Sequence, residues 1–429
     1  MPAIIVVGGQ WGDEGKGRVV DLIARKAHVV ARYSAGNNAG HTVINEFGET
    51  RLHLVPAGIF YPDKVCVIGN GLVVDPKVLL EEIHELRSRG VSVERLHVSS
   101  RCHIIMPWHP VIDRLDEELR GKAAIGTTAR GVGPCFADKV ARVGIRMGDL
   151  IDPEAFRERL SFVLPYKNAF LEKLYGANPL SFEEIYSTYT AYGAEIAPFV
   201  TETAELVQEA LERGEMVLLE GAQGGLLDLD AGTYEFVTSS VPSSLAAGAG
   251  IGIGIGPTQI SKVVGVCKVY QTRVGNGPMP TELLGEEGDL LRERGQEYGT
   301  TTGRPRRCGW FDAVASRYIA RLNGTTSVVL TRLDILDQYP TLKVCTAYRL
   351  DGSTTKIFPS SARTLMRAEP VYEKLPGWQK DTRQVRAFED LPAQARGYVQ
   401  RIQELLGCPI DLVSVGPERE HAIIIRPII

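Results

Sequence analysis

The chain has 429 residues, of which 44% are apolar and 23% charged, with a net charge of -4; this is an ordinary globular composition with room for a sizeable core, and it excludes a disordered or fibrous chain. A nucleic-acid binder carries a basic excess, so the charge balance disfavours that class. Seven cysteines are scattered without a CxxC pair, no basic and apolar leader opens the chain, and no apolar stretch reaches membrane-spanning length; we expect a soluble cytoplasmic protein with neither membrane nor nucleic acid as partner.

In chain order, Ala3 to Val7 is a β-branched run ending in glycine, which predicts a buried parallel strand entering a loop. Val19, Val20, Leu22, Ile23 and Ala27 follow at helical spacing. "HVVARY" predicts the next strand, and Val65 to Ile68 another. Asp75 and Pro76 open a helix at "DPKVLLEEIHELRSRG", with an N-cap, a first-turn proline and Gly90 as the stop. "AELVQEALERG" reads as a helix running into the strand of "EMVLLEGAQGG", and Val263 to Val269 and Ser327 to Thr331 are further strands. "AAGAGIGIGIGP", Ala246 to Pro257, lacks the G-x-G-x-x-G frame of a dinucleotide loop and reads as either a glycine-rich site wall or a mobile loop. Alternating helices and strands predict an α/β fold, a mostly parallel central sheet flanked by helices. Its ligand crevice then lies beyond the carboxyl ends of the strands. We expect one large α/β catalytic domain over residues 1–429 with loop and helical insertions, since no linker interrupts the chain.

The loop between the first strand and helix, "GGQWGDEGKGRVVD", resembles a phosphate-binding loop but breaks its rule. The standard form is G-x-x-x-x-G-K-[ST], with a hydroxyl on magnesium after the lysine. Here Gly15 and Lys16 are in place, Gly9 lies one residue too far back, and Gly17 stands where the hydroxyl belongs. A tight turn with solvated charges would be the bland account; a phosphate cradle would need another hard oxygen for magnesium, and Asp13 is the nearest. "SAGNNAGHTV" gathers Asn37, Asn38, His41 and Thr42 around two glycines, either as a structural turn or as a source of amide donors and a proton-donating imidazole. "AIGTTARGVGP" and "YGTTTGRPRRCGW" interleave threonines and glycines with Arg130, Arg304, Arg306 and Arg307. Such arginines are either a solvated surface or forks for carboxylate and phosphate. Arg332 and Asp334 in "VVLTRLDIL" form either an ion pair at a strand end or a carboxylate able to accept the N1 and N2 protons of guanine.

Together with "EGAQG", "VTSS" and "SVGPERE", these segments make nearly the whole chain resemble the adenylosuccinate synthetase family, which joins aspartate to IMP at the expense of GTP. The resemblance implies a fold related to the P-loop nucleoside triphosphatases, GTP as co-substrate, Mg2+, and a homodimer. It implies Asp13 as general base and magnesium ligand, the Gly40 carbonyl as a second metal ligand, and His41 as general acid. The GTP site it implies comprises Gly12, Glu14, Gly15, Lys16, Gly17, Arg18, Gly40, His41, Thr42, Arg306, Arg332, Leu333, Asp334, Ser414, Val415 and Gly416. For IMP it implies Asp13, Glu14, Gly15, Lys16, Asn38, Ala39, Gly40, His41, Thr128, Gln223, Thr238 and Arg304, with Arg142 reaching the neighbouring subunit's IMP. For L-aspartate it implies Thr300, Thr301, Thr302, Gly303, Arg304, Pro305 and Arg306. Four positions depart from the family pattern: Arg18 and Arg332 stand for lysines, Pro305 interrupts an arginine cluster, and Val415 replaces a small polar residue. A GTP-binding switch, or a GTP-dependent ligase for another purine or acid, is the competing expectation; a switch needs no second-substrate loops.

Overall fold

The computed structural model describes residues 3–241, 243, 245–299 and 303–429. Its centre is a ten-stranded sheet. From one edge to the other the strands run Ala422–Ile424, Ile410–Ser414, Ser327–Thr331, Ile260–Lys268, Ala3–Gly8, Val217–Gly224, Val29–Arg32, Val65–Ile68, Leu96–Ser99 and Val200–Thr201. Every neighbouring pair is parallel except the first, where Ala422–Ile424 runs antiparallel to Ile410–Ser414. The mostly parallel α/β arrangement expected from the alternation is therefore present.

The first strand shows why its sequence had to be apolar on both faces. All six residues are buried; Ile4 and Val6 enter one core with Val30 and Ile68, while Ala3, Ile5 and Val7 enter another with Ala31 and Val67. Helices cover both faces, as a parallel sheet requires. The strand lies mid-sheet, with the chain progressing away from it in one direction and returning to fill the other. That reversal leaves a crevice at the strand's carboxyl end.

The helix expected after Asp75 spans Pro76–Ser88, capped by the Asp75 side chain on the N–H groups of Lys77 and Val78. Helices Trp108–Arg120, Val132–Ala141, Pro153–Tyr175 and Phe182–Ile196 are inserted between two strands at the sheet edge. A second sheet forms around Thr341–Leu350, paired with Glu369–Pro376. The glycine-rich "AAGAGIGIGIGP" is neither of the two things expected of it. Ala246–Ile253 is a helix, and Ala246, Ala249 and Ile253 pack with Ile5 and Val7 in a sheet core; small residues let the helix lie close to the strands. No helix among the described residues is long and apolar enough to cross a membrane.

Candidate active site

The glycine loop is shaped from within. Gly12, Asp13 and Gly15 all have positive φ, at 89°, 58° and 89°, and helix Lys16–Ala24 begins on Gly15 without a side-chain cap. Its first amides are thus left for a ligand, the arrangement that binds phosphate. The fully buried Glu14 carboxylate accepts the N–H groups of Gln10 (3.1 Å) and Gly12 (2.9 Å) and pairs with Lys16 Nζ at 2.5 Å. Glu14 therefore organises the loop rather than offering its carboxylate to a nucleotide. A β-carbon on Gly17 would sit 2.9 Å from His41 Cβ and 3.3 Å from His41 Cα. A side chain at residue 17 would thus collide with His41, which accounts for glycine where the standard motif has a hydroxyl.

His41 opens strand His41–Asn45, which forms a hairpin with Gly48–Leu52. Its Nδ1 pairs with a Glu220 oxygen, and the other Glu220 oxygen accepts the Ala57 N–H at 2.9 Å. Its Nε2 has no hydrogen-bond partner among the described residues, and the side chain lines the cleft. Burial lowers the imidazole's pKa, with the Glu220 charge working the other way. Burial opposes ionisation of Glu220 too, yet His41, Arg32 and the Ala57 amide together hold it below the usual carboxylate range. The ring is consequently held in one orientation by an ionised carboxylate, with Nε2 the nitrogen open to chemistry.

Across the cleft, Asp13 Oδ2 accepts from Arg306 Nε at 2.8 Å. Arg306 is buried, and its Nη1 donates to Glu297 at 2.7 Å. Arg332, at positive φ (66°), precedes the turn Leu333–Leu336 and donates to the Gly295 carbonyl at 2.5 Å. Burial raises the pKa of the nearby Asp334 carboxyl, partly offset by Arg332 and Arg18. Its Oδ1 is buried without a hydrogen-bond partner among the described residues, yet Asp334 borders the cleft. An acceptor so placed suits a base that presents N–H groups.

The remaining walls are loops held by polar contacts. Glu117 accepts the N–H groups of Ile125 (3.1 Å), Gly126 (2.6 Å) and Thr127 (3.1 Å), fixing the segment that carries Thr128. Arg304 reaches the Gly126 carbonyl at 3.3 Å, and Arg130 the Asn37 carbonyl at 3.1 Å. Arg18 donates to Ser414 Oγ at 2.9 Å and to the carbonyls of Gly416 and Glu418, tying the glycine-loop helix to the C-terminal segment.

These walls enclose a cleft of about 1200 Å³. It gathers Gly12 to Arg18, Asn38 to Thr42, Thr128, Gln223, Thr238, Arg304, Arg306, Arg332, Asp334, Ser414 and Gly416. Leu333 and Val415 are packed in the core instead, so only their backbone is available to a nucleotide. Gly303 and Pro305 are exposed and do not border the cleft. Thr300, Thr301 and Thr302 lie outside the described residues. Arg142 is exposed at the end of helix Val132–Ala141 and does not line this chain's own cleft. Glu220, Glu297, Lys268, Arg32 and Glu117 carry roles that sequence reasoning did not assign, although Glu220 and Arg32 lay within quoted strand segments.

For a metal, Asp13 and the Gly40 carbonyl offer hard oxygens at the cleft. Among the described residues no group of three or more His, Cys, Asp or Glu side chains is arranged around a metal position. The donor set fits magnesium, which binds through one or two carboxylates and completes its shell with substrate phosphates and water.

Residues 5–423 match the family model for adenylosuccinate synthetase. Adenylosuccinate synthetase of Heliobacterium modesticaldum is 54% identical over 423 residues, covering 99% of both chains. That of Dehalococcoides mccartyi is 53% identical, covering 99% of this chain and all of its own. The structure of fully ligated adenylosuccinate synthetase from Plasmodium falciparum superposes with a TM-score of 0.93 at 36% identity, over 99% of this chain and 100% of that one. A cyanophage S-2L succinoaminodeoxyadenylate synthetase, 22% identical with a TM-score of 0.63, shares the fold. Alike in sequence from end to end and in the course of its backbone, the chain belongs to the adenylosuccinate synthetase family.

Proposed function

We propose that the chain joins L-aspartate to IMP in two steps, by way of a 6-phosphoryl-IMP intermediate, with Asp13 as base and His41 as acid. The family activity is the GTP-dependent ligation that commits IMP to AMP synthesis, yielding adenylosuccinate, GDP and phosphate. The lactam oxygen at C6 of IMP is a poor leaving group, so the amine of aspartate cannot displace it directly. Asp13 takes the N1 proton; its ion pair with Arg306 engages Oδ2, and we assign the proton to Oδ1. The electron pair passes to the C6 oxygen, which attacks the γ-phosphorus of GTP and releases GDP. His41 Nε2 donates to that oxygen as its charge develops. Aspartate's amine then adds at C6, phosphate leaves, and the amine loses a proton. Magnesium, held by Asp13 and the Gly40 carbonyl, would offset charge on the transferring phosphoryl group. Lys16 and the glycine-loop amides serve GTP phosphates, Arg18 the GTP site through its ties to Ser414 and Gly416, Asp334 the guanine, and Asn38, Thr128, Gln223, Thr238 and Arg304 the IMP.

The observation that carries this reading is His41 Nε2, buried without a hydrogen-bond partner among the described residues, on a side chain that lines the cleft beside the glycine loop. A homodimer has its own support. Phe162, Tyr166, Phe170 and Leu174 make an exposed stripe, every fourth residue along helix Pro153–Tyr175, with Val140 exposed beside Arg142. Tyr166 and Phe170 also border the cleft, so a second copy seated there would bring its Arg142 towards this site. Seven free, buried cysteines accord with a reducing cytoplasmic location.

The test is GTP turnover with IMP and aspartate supplied singly and together. The ligase requires both for sustained turnover; GTP hydrolysis indifferent to either would identify a nucleotide switch. Arg142→Leu should raise the KM for IMP far more than that for GTP. Mixing it with inactive His41→Ala protein should restore activity through hybrid dimers; no rescue despite proven subunit exchange would remove Arg142 from the neighbouring site.

A further inference from the structure

Helix Glu286–Gly295 is followed by Gln296 at φ 48°, and the chain then turns Glu297 fully inward. Oε2 of Glu297 accepts from Lys268 Nζ and from Arg306 Nη1, each at 2.7 Å. Oε1 accepts the Tyr270 hydroxyl at 2.5 Å and lies 3.7 Å from Arg332 Nε. One carboxylate thus meets cations from three separate segments. Burial alone would raise its pKa, but Lys268, Arg332 and Arg306 pull it down to about 2. The contacts are not confined to side chains. The Arg306 N–H donates to the Glu297 carbonyl at 2.9 Å, and the Gly299 N–H to the Arg304 carbonyl at 2.8 Å, so Glu297 and Arg306 pair twice at the neck of the loop between them. Lys268 is in turn fixed to the phosphate loop: its N–H donates to Gln10 Oε1 at 2.9 Å, and Gln10 Nε2 donates to the carbonyls of Lys268 (3.0 Å) and Tyr270 (3.2 Å).

We propose that Glu297 is a positioning residue for the reaction: it grips Arg306 at the neck of the aspartate loop and draws in Arg332 beside the guanine-reading Asp334, holding both segments in register with Asp13. The inference rests on the reading that Arg306 belongs to the aspartate loop and Arg332 to Asp334 to the GTP site. A simple structural ion pair would need one cation. Here the carboxylate spans two substrate segments, and one of its partners, Arg306, also holds the base. Without the charge on Glu297, Arg306 keeps Asp13 as its one anionic partner among the described residues and the loop neck loses its side-chain clasp.

Glu297→Gln should raise the KM for aspartate roughly ten- to a hundredfold, the effect of a lost charge-assisted bond. The KM for GTP should rise less, and that for IMP should stay within about twofold. Removing the charge also leaves Lys268 poorly compensated, so stability must be separated from positioning. Lys268→Met with Glu297→Gln removes a cation with the anion: melting temperature should recover while the aspartate KM stays high. Recovery of both together would make Glu297 a structural residue and overturn the proposal, as would wild-type KM values in folded Glu297→Gln. Glu297→Asp keeps the charge but is one methylene short, and should fold with an intermediate aspartate KM; its failure to fold would equally assign the residue to stability alone. Arg306→Ala checks the underlying reading. Unchanged aspartate saturation there would show that the loop does not serve aspartate, whereas a defect there with none in the Glu297 variants would refute the positioning role by itself.

Discussion

On one side of the cleft His41 rests on Glu220 through Nδ1 and keeps Nε2 without a partner; on the other, Asp13 is tied to Arg306, and Arg306 to Glu297, where Lys268 and Arg332 also converge. Buried charges support both sides, but His41 is itself buried while Asp13 is exposed, and the two are left in different conditions. The imidazole is oriented by the fold and lacks only a substrate atom to donate to. The carboxylate of Asp13 is already engaged, so its bonds must be shared or exchanged as ligands arrive. Under the proposed mechanism, acid and base would be kept apart by these separate electrostatic surroundings.

Removing either group should have the largest effect. His41→Ala and Asp13→Ala should each lower kcat by at least a hundred- to a thousandfold in folded protein. The comparison adds a distinction: His41→Ala should leave substrate KM values nearly unchanged, whereas Asp13→Ala releases Arg306 and should raise the KM for aspartate. Near-normal turnover by folded His41→Ala would remove the acid from the scheme, and identical KM profiles would remove the asymmetry.

Glu220→Gln probes the acid side alone, with an expected loss in kcat of some tens of fold. Its sharper readout is pH. Burial lowers the His41 pKa and the Glu220 charge raises it; deleting that charge lowers the folded pKa further. Activity that needs the protonated ring is present below its pKa and lost above it. The alkaline fall in the kcat profile should therefore move to lower pH in Glu220→Gln. A shift to higher pH, or none, would contradict the assignment of Glu220 as the group that supports proton donation.

The smallest effect is expected at the far end of the charged side, beyond Arg332. Asp334→Asn replaces one acceptor oxygen with a donor amide, which should weaken GTP use and favour xanthosine triphosphate, whose C2 bears an oxygen. The ratio of apparent affinities should change by about tenfold or somewhat less, as for one hydrogen bond. An unchanged ratio at saturating IMP and aspartate would leave Asp334 as a carboxylate that only balances the nearby charges of Arg332 and Arg18, with no part in reading the base.

What was legible in the sequence was whatever chemistry lies contiguous along it. Strand, glycine loop and helix occur in order over residues 3–24, so backbone order alone places Asp13 and Lys16 at the cleft. Asn38 and Arg304 stand in loops and His41 at the start of a strand, all among glycines and threonines where composition marks them. Glu220 and Lys268 are strand residues, and in a fully buried parallel strand a charged side chain gives no sign of its partner. Their meaning comes from contacts 179 residues away for Glu220 with His41 and 29 residues away for Lys268 with Glu297. The helix Ala246–Ile253 was hidden for another reason: three of its eight residues in "AAGAGIGI" are glycine, which reads as flexible chain, and the core contacts that make it helical are tertiary.

Gly17 gives the loop's irregularity a direction. In this backbone a side chain at residue 17 and the imidazole of residue 41 compete for the same volume, with only 2.9 Å available between their β-carbons. A side chain there would belong to a phosphate loop of the standard kind; without it, the space goes to the hairpin that His41 opens. The two occupants exclude one another at this spot, and any side chain added at residue 17 would push aside the strand that begins at His41.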